Sequence, residues 1–94
     1  MTTGRFTVLV AFDTPSDARR RRLTHLLSRH GVRVQRSVFE VHVSARELDA
    51  LWSALSRVAD GAEDALLAGR VLPGGWRRLG AGGEGVESLT LLAL

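Results

Sequence analysis

Residues Phe6–Thr7–Val8–Leu9–Val10–Ala11–Phe12 form an unbroken apolar run that stops on the carboxylate of Asp13. β-Branched and aromatic side chains dominate it, the signature of a strand buried on both faces. Thr14–Pro15–Ser16–Asp17 then reads as a helix start, and a helix-period pattern follows. This strand therefore belongs at the centre of a sheet, with Asp13 at its carboxyl end, where open α/β sheets place ligands. An aspartate closing a strand also commonly serves a turn, so position alone does not decide its role.

The rest of the chain supplies partners for that strand. The predicted first helix runs from Ser16 to about His30, with Leu23, Leu26, Leu27 and His30 at i, i+3, i+4, i+7 on one face. At 100° per residue Arg19 falls on the same face in the first turn, where a cation is unfavourable both for burial and for the helix dipole. Arg19 thus requires an anion, either Asp13 or a phosphate. His30 reads as a core histidine, and Gly31 as a left-handed helix terminator. Val32–Val43 is expected to form a hairpin: Val32 and Val34 share one phase, Phe39, Val41 and Val43 the other, so the turn falls near Arg36–Ser37.

Ser44–Ala45–Arg46–Glu47 has the residues of a capping box, flanked by Val43 and Leu48 at the staple positions. Leu48, Leu51, Trp52, Leu55 and Val58 then make an apolar stripe for a second helix, which places Trp52 in the core. Asp60–Gly61 ends it. Ala65–Leu72 is a fourth strand, broken by Pro73–Gly74–Gly75, and Gly80–Gly85 is a linker. Leu89–Leu94 is a further apolar strand that must pair with something to avoid being an aggregation-prone edge. The order is β-α-β-β-α-β plus one C-terminal strand: an α+β, ferredoxin-like single domain over residues 1–94.

Size and charge narrow the function. With 94 residues and a modest core, dimerisation is a natural way to bury more surface. There is no cysteine, so no disulfide or thiolate zinc site, which fits a reducing cytoplasm; no run is long enough for a membrane span and no signal peptide is expected. The formal charge is +3, and every basic residue is arginine. Eight arginines face three acids in residues 1–43, whereas five face seven in residues 44–94. That asymmetry points the first half towards a polyanion. His25, His30 and His42 have no metal-ligand spacing, no nucleophile motif is present, and the glycine-rich stretches lack a phosphate-loop lysine. What remains is Asp13 as a single hard oxygen ligand for Mg²⁺ or another divalent cation, improved if two copies meet across a dimer axis. Beside it lies the cluster Arg19–Arg22, suited to phosphate.

Phe12–Asp13, Arg19–Arg20 and the string Gly31–Val32–Arg33–Val34–Gln35–Arg36–Ser37–Val38–Phe39–Glu40 together resemble the small CRISPR-associated adaptation nucleases ("Cas-two"). The likeness covers about residues 6–73. It implies a ferredoxin-like homodimer in which a strand at about 86–94 completes the partner's sheet, and a divalent-metal endonuclease centred on Asp13. It also implies partnership with the CRISPR integrase during spacer capture, bridging integrase dimers and binding double-stranded DNA, with RNA as an alternative. On this reading Arg19, Arg20, Arg22 and Arg36 contact nucleic acid, and Phe12, Ser37 and Phe39 shape the site. Phe12 stands where the family often has tyrosine. Without the resemblance, the alternatives are a ferredoxin-like regulatory module binding a small ligand at a dimer interface, or a toxin-like ribonuclease.

Overall fold

The computed structural model describes residues 4–72 and 74–80. Six elements follow one another: β1 (Arg5–Asp13), α1 (Asp17–Ser28), β2 (Gly31–Gln35), β3 (Val38–Ser44), α2 (Ala45–Val58) and β4 (Ala65–Val71). The expected β-α-β-β-α-β order is present, and the four strands form one antiparallel sheet in the order β2-β3-β1-β4. The apolar run is thus an inner strand, paired on both edges. The Leu89–Leu94 strand and most of the Gly80–Gly85 linker lie outside the described residues.

One face of the sheet carries the core. Val8 stands opposite Val41 and Val10 opposite Phe39 across β1 and β3. These residues, with Phe12, Val43, Leu23 and Leu27 of α1 and Leu51 and Leu55 of α2, form one buried cluster. Each such side chain contributes about 1.5–3 kcal/mol on full burial. Leu66 and Ala68 of β4, opposite Phe12 and Val10, pack against its margin.

Both helices start as their sequences dictate. The Ser16 hydroxyl accepts from the Arg19 amide and caps α1. Ser44 and Glu47 close a complete capping box on α2, the serine hydroxyl accepting from the Glu47 amide and the Glu47 carboxylate from the Ser44 amide. The Val43–Leu48 staple positions are buried and half-buried.

Four local expectations are corrected. His30 lies beyond α1 and is exposed, because the helix closes with i to i+3 bonds from Arg29 and His30 to Leu26 and Leu27. Gly31 does not take a left-handed conformation; positive φ among the described glycines belongs to Gly74 and Gly80. Gly31 is instead the first residue of β2, and a Cβ there would sit 2.0 Å from the Glu40 carbonyl oxygen. Its smallness permits close strand approach. Trp52 is 37% exposed: it is rotated by 100° from Leu51, and the buried line runs through Leu51 and Leu55. Finally, the anion that meets Arg19 is neither Asp13 nor a ligand phosphate but the carboxylate of Asp64, described below.

The other face of the sheet holds Leu9, Val32 and, between them in register, Glu40. Leu9, Val34, Gln35 and Val38 line a cleft of about 350 Å³ together with Trp76, Arg77, Arg78 and Leu79. Glu40 is 1% exposed, and neither carboxylate oxygen has a hydrogen-bond partner among the described residues. Burial pushes its carboxyl pKa up.

Candidate nucleic-acid interface

β1 delivers Asp13 to its carboxyl end, opposite Ala65 of β4. The residue before it, Phe12, is buried, and its ring stacks on Phe39 with centroids 6.4 Å apart and planes at 18°. The Phe12 amide donates to the Ser37 carbonyl at 3.0 Å. The β2–β3 turn, Arg36–Ser37, is therefore tied to the strand end that bears Asp13. Ser37 meets this strand end through its backbone carbonyl, and the Phe12 and Phe39 rings stack beside it.

Thr14, immediately after Asp13, is buried. Its hydroxyl accepts from the Ser16 amide at 3.1 Å. Its carbonyl accepts from Arg20 Nη2 at 2.7 Å, while Arg20 Nη1 donates to Asp17. Arg20 thus braces the loop that follows Asp13. The Asp13 carboxylate itself is exposed and has no hydrogen bond or ion pair among the described residues.

Arg19 turns inward, as its helical position requires. Its Nε and Nη2 donate to the two oxygens of Asp64 at 2.7 and 3.1 Å, and Nη2 also reaches Glu63 at 2.6 Å. Asp64 further accepts from the Asp60 amide at 2.8 Å. The Asp64 side chain is 1% exposed. The Arg19 guanidinium, followed by a backbone donor, holds its carboxyl down at about 2. The acidic second half of the chain, through the loop after α2, supplies the anion. No spacing in the sequence announces a partner 45 residues away.

The remaining arginines are laid out in the open. Arg20, Arg21, Thr24, His25 and Ser28 of α1 and its C-terminal edge face Arg33 of β2 and Arg36 of the turn across a cleft of about 540 Å³. Arg33 lies over the Phe39 ring, its Cζ 5.9 Å from the centroid. Neither Arg21 nor Arg36 has a hydrogen bond or ion pair among the described residues. Arg20 and Arg36 are brought together as expected. Arg22 is not: it lines a second, more apolar groove with Ala18, Leu26 and Val58, separated from the first by Arg21 and His25. Sequence reasoning set Arg21 only within the Arg19–Arg22 cluster and assigned no contact to Arg33. The strand alternation that puts Arg33 opposite Phe39 was the signal for the latter.

A divalent cation could find one carboxylate here. Among the described residues no group of three His, Cys, Asp or Glu side chains gathers to hold a metal. Mg²⁺ keeps several waters and needs only one or two carboxylates, so the exposed, unpaired Asp13 fits as one of its ligands.

The model of the family described as CRISPR associated protein Cas2 matches residues 6–78. The chain belongs to the Cas2 family. A Thermus thermophilus protein named CRISPR-associated endonuclease Cas2 2 is 43% identical over 63 residues, covering 67% of this chain and 70% of the relative. A Synechocystis protein named CRISPR-associated endoribonuclease Cas2 3 is 38% identical over 61 residues, 65% of this chain and 66% of that one. Among solved structures, a hypothetical protein from Thermus thermophilus superposes with a TM-score of 0.79 at 40% identity, over 84% of this chain and 95% of that one. Streptococcus pyogenes Cas2, at pH 6.5, does so with a TM-score of 0.64 at 29% identity, over 67% and 82%. The matched region holds β1, both helices, the hairpin and the arginine cleft. Among the described residues no helix is long and apolar enough to cross a membrane.

Proposed function

We propose that this Cas2-family chain acts as a homodimer in CRISPR adaptation, binding double-stranded nucleic acid and bridging the CRISPR integrase, with a divalent-metal-dependent phosphodiesterase activity centred on Asp13. The observation that carries this reading is the arginine cleft joined to the Asp13 strand end: Arg20 holds the Thr14 carbonyl, and the turn bearing Arg36 holds the Phe12 amide. A phosphate backbone lying in the cleft is thereby brought beside Asp13. Arg20 and Arg36 contact phosphate, with Arg21 and Arg33 extending the surface; Arg19 serves the fold that presents them. Asp13, with its copy in a second protomer, would hold Mg²⁺, and a bound divalent cation would supply charge neutralisation at the phosphate and lower the pKa of a bound water. The exposed Leu67 lies on the sheet face away from the helices, near Leu9 and Ala11 in register. This supports a second copy covering that face. The names of the relatives divide between endonuclease and endoribonuclease, so DNA and RNA are both to be assayed.

The test pairs two variants. Asp13 bears no described structural partner, so Asp13→Asn should leave the melting temperature unchanged, abolish Mg²⁺-dependent cleavage and preserve duplex binding. Arg20→Ala should flatten the slope of log K against log salt by about 1.8 if both copies in a dimer touch one duplex. Cleavage that persists in Asp13→Asn removes the catalytic part of the reading. A salt slope unmoved by Arg20→Ala removes that residue from the interface.

A further inference from the structure

The cleft contains more positive charge than a lone phosphodiester neutralises. Arg20 is already compensated by Asp17, but Arg21, Arg33 and Arg36 face the same space with no acid among its lining residues. The Arg33 Cζ lies 5.9 Å from the Phe39 ring centroid, and none of its N–H groups has a hydrogen-bond partner among the described residues. The hydroxyls of Thr24 and Ser28 add neutral donors on the helix wall. The cleft has two walls, α1 on one side and β2 with its turn on the other, and a volume of about 540 Å³. That is the size of a small-molecule pocket. A duplex backbone tracking the cleft presents singly charged diesters to these arginines, whereas a strand end presents a monoester.

We propose that this cleft is a phosphate-monoester site that receives the terminal phosphate of a nucleic-acid strand, with Arg21, Arg33 and Arg36 as its cationic ligands. A terminal phosphate carries about −1.5 to −2 charge near neutral pH and three strong acceptor oxygens. It therefore matches three uncompensated guanidiniums better than the single charge of a diester. Guanidiniums on both walls can form paired N–H···O contacts with such a group, which a point charge could not. This deepens the nucleic-acid reading above and rests on it for the source of the phosphate; a free mononucleotide carries the same chemistry.

The experiment compares short duplexes with 5′-phosphate and 5′-hydroxyl ends, adenosine 5′-monophosphate and inorganic phosphate, each titrated against wild type and Arg36→Gln. Arg36 is an exposed turn residue, and circular dichroism is to check that the variant folds; Arg21→Gln is the second variant. The phosphorylated duplex should bind wild type about tenfold more tightly than the hydroxyl form, and the gap should vanish in both variants. Equal affinity for the two ends, or a gap that survives Arg36→Gln, overturns the proposal. If inorganic phosphate and the mononucleotide bind in an Arg36-dependent way while neither duplex binds, the monoester site stands and the nucleic-acid reading falls. No Arg36-dependent binding of any monoester overturns the site itself.

Discussion

Arg19 and Asp64 meet across 45 residues of chain in a two-point contact, with Nε and Nη2 of one on both oxygens of the other. The pair fastens the first turn of α1 to the loop before β4, next to the strand end that carries Asp13. Asp64 also takes the Asp60 amide, so removing its charge loosens both α1 and the loop after α2.

Acid unfolding should report this contact. The Asp64 carboxyl lies at about 2 against 3.8 for its ordinary value. A depressed carboxyl stabilises the fold fully above the higher value and loses that contribution as pH falls through the lower one. Wild type should therefore lose melting temperature between pH 4 and pH 2, and Asp64→Asn should be less stable at neutral pH and flatter across that window. The check is melting by circular dichroism at each pH. A variant with the wild-type profile would mean that Asp64 contributes nothing to stability.

Glu40 works in the opposite sense. Its carboxyl is buried with no hydrogen-bond partner among the described residues, and its pKa is raised from 4.5 by desolvation. A raised carboxyl binds more protons folded than unfolded, so its stabilising contribution is complete below 4.5 and is lost as pH rises through the folded value. Glu40→Met keeps the bulk and removes the buried polar atoms, and such replacements are commonly neutral or stabilising. We expect Glu40→Met to melt higher at pH 8, with each 1 kcal/mol gained reading as about 4–8 °C in a domain of this size. Its advantage should shrink towards pH 4.5. A variant that melts lower at pH 8 would count against the unpartnered carboxyl.

Gly31→Ala tests close strand packing. The added Cβ would overlap the Glu40 carbonyl oxygen at 2.0 Å, a backbone atom that cannot rotate away. Overpacking of this kind costs roughly 1–3 kcal/mol, and the β2–β3 hairpin should open first. Hydrogen exchange should then speed up in residues 31–35 before it does in β1. A variant with wild-type melting and exchange would show that the strands have room to part.

Local signals were legible in the sequence wherever one segment sufficed to set them. The unbroken apolar run of β1, the change of phase around Arg36–Ser37 and the Ser44–Glu47 box each depend on neighbours a few residues away, and each element is present. The inward direction of Arg19 was equally legible, because helical geometry fixes it. Its partner was not, since Asp64 reaches it only once α2 has carried the chain back across the sheet. Trp52 and His30 failed for a related reason: a stripe on a wheel has edges, and packing of the neighbouring elements decides which side of an edge is covered. The cleft was half legible. Arg20 and Arg36 stood out as charges near the strand end, whereas Arg33 joins them because the hairpin folds its wall against α1.

The order β2-β3-β1-β4 has a consequence for how the chain comes into being. The most apolar segment is made first, but its two neighbours are made late: β3 ends at Ser44 and β4 at Val71. At about 5–20 residues per second, translation leaves β1 without its first partner for roughly two to six seconds after Asp13 is added, and without its second for several more. Once Phe6–Phe12 has left the ribosome and until β3 reaches it, α1 is the element of the fold at hand to cover it, through Leu23 and Leu27. The strand that presents Asp13 is therefore the last to be enclosed on both edges as the protein is synthesised.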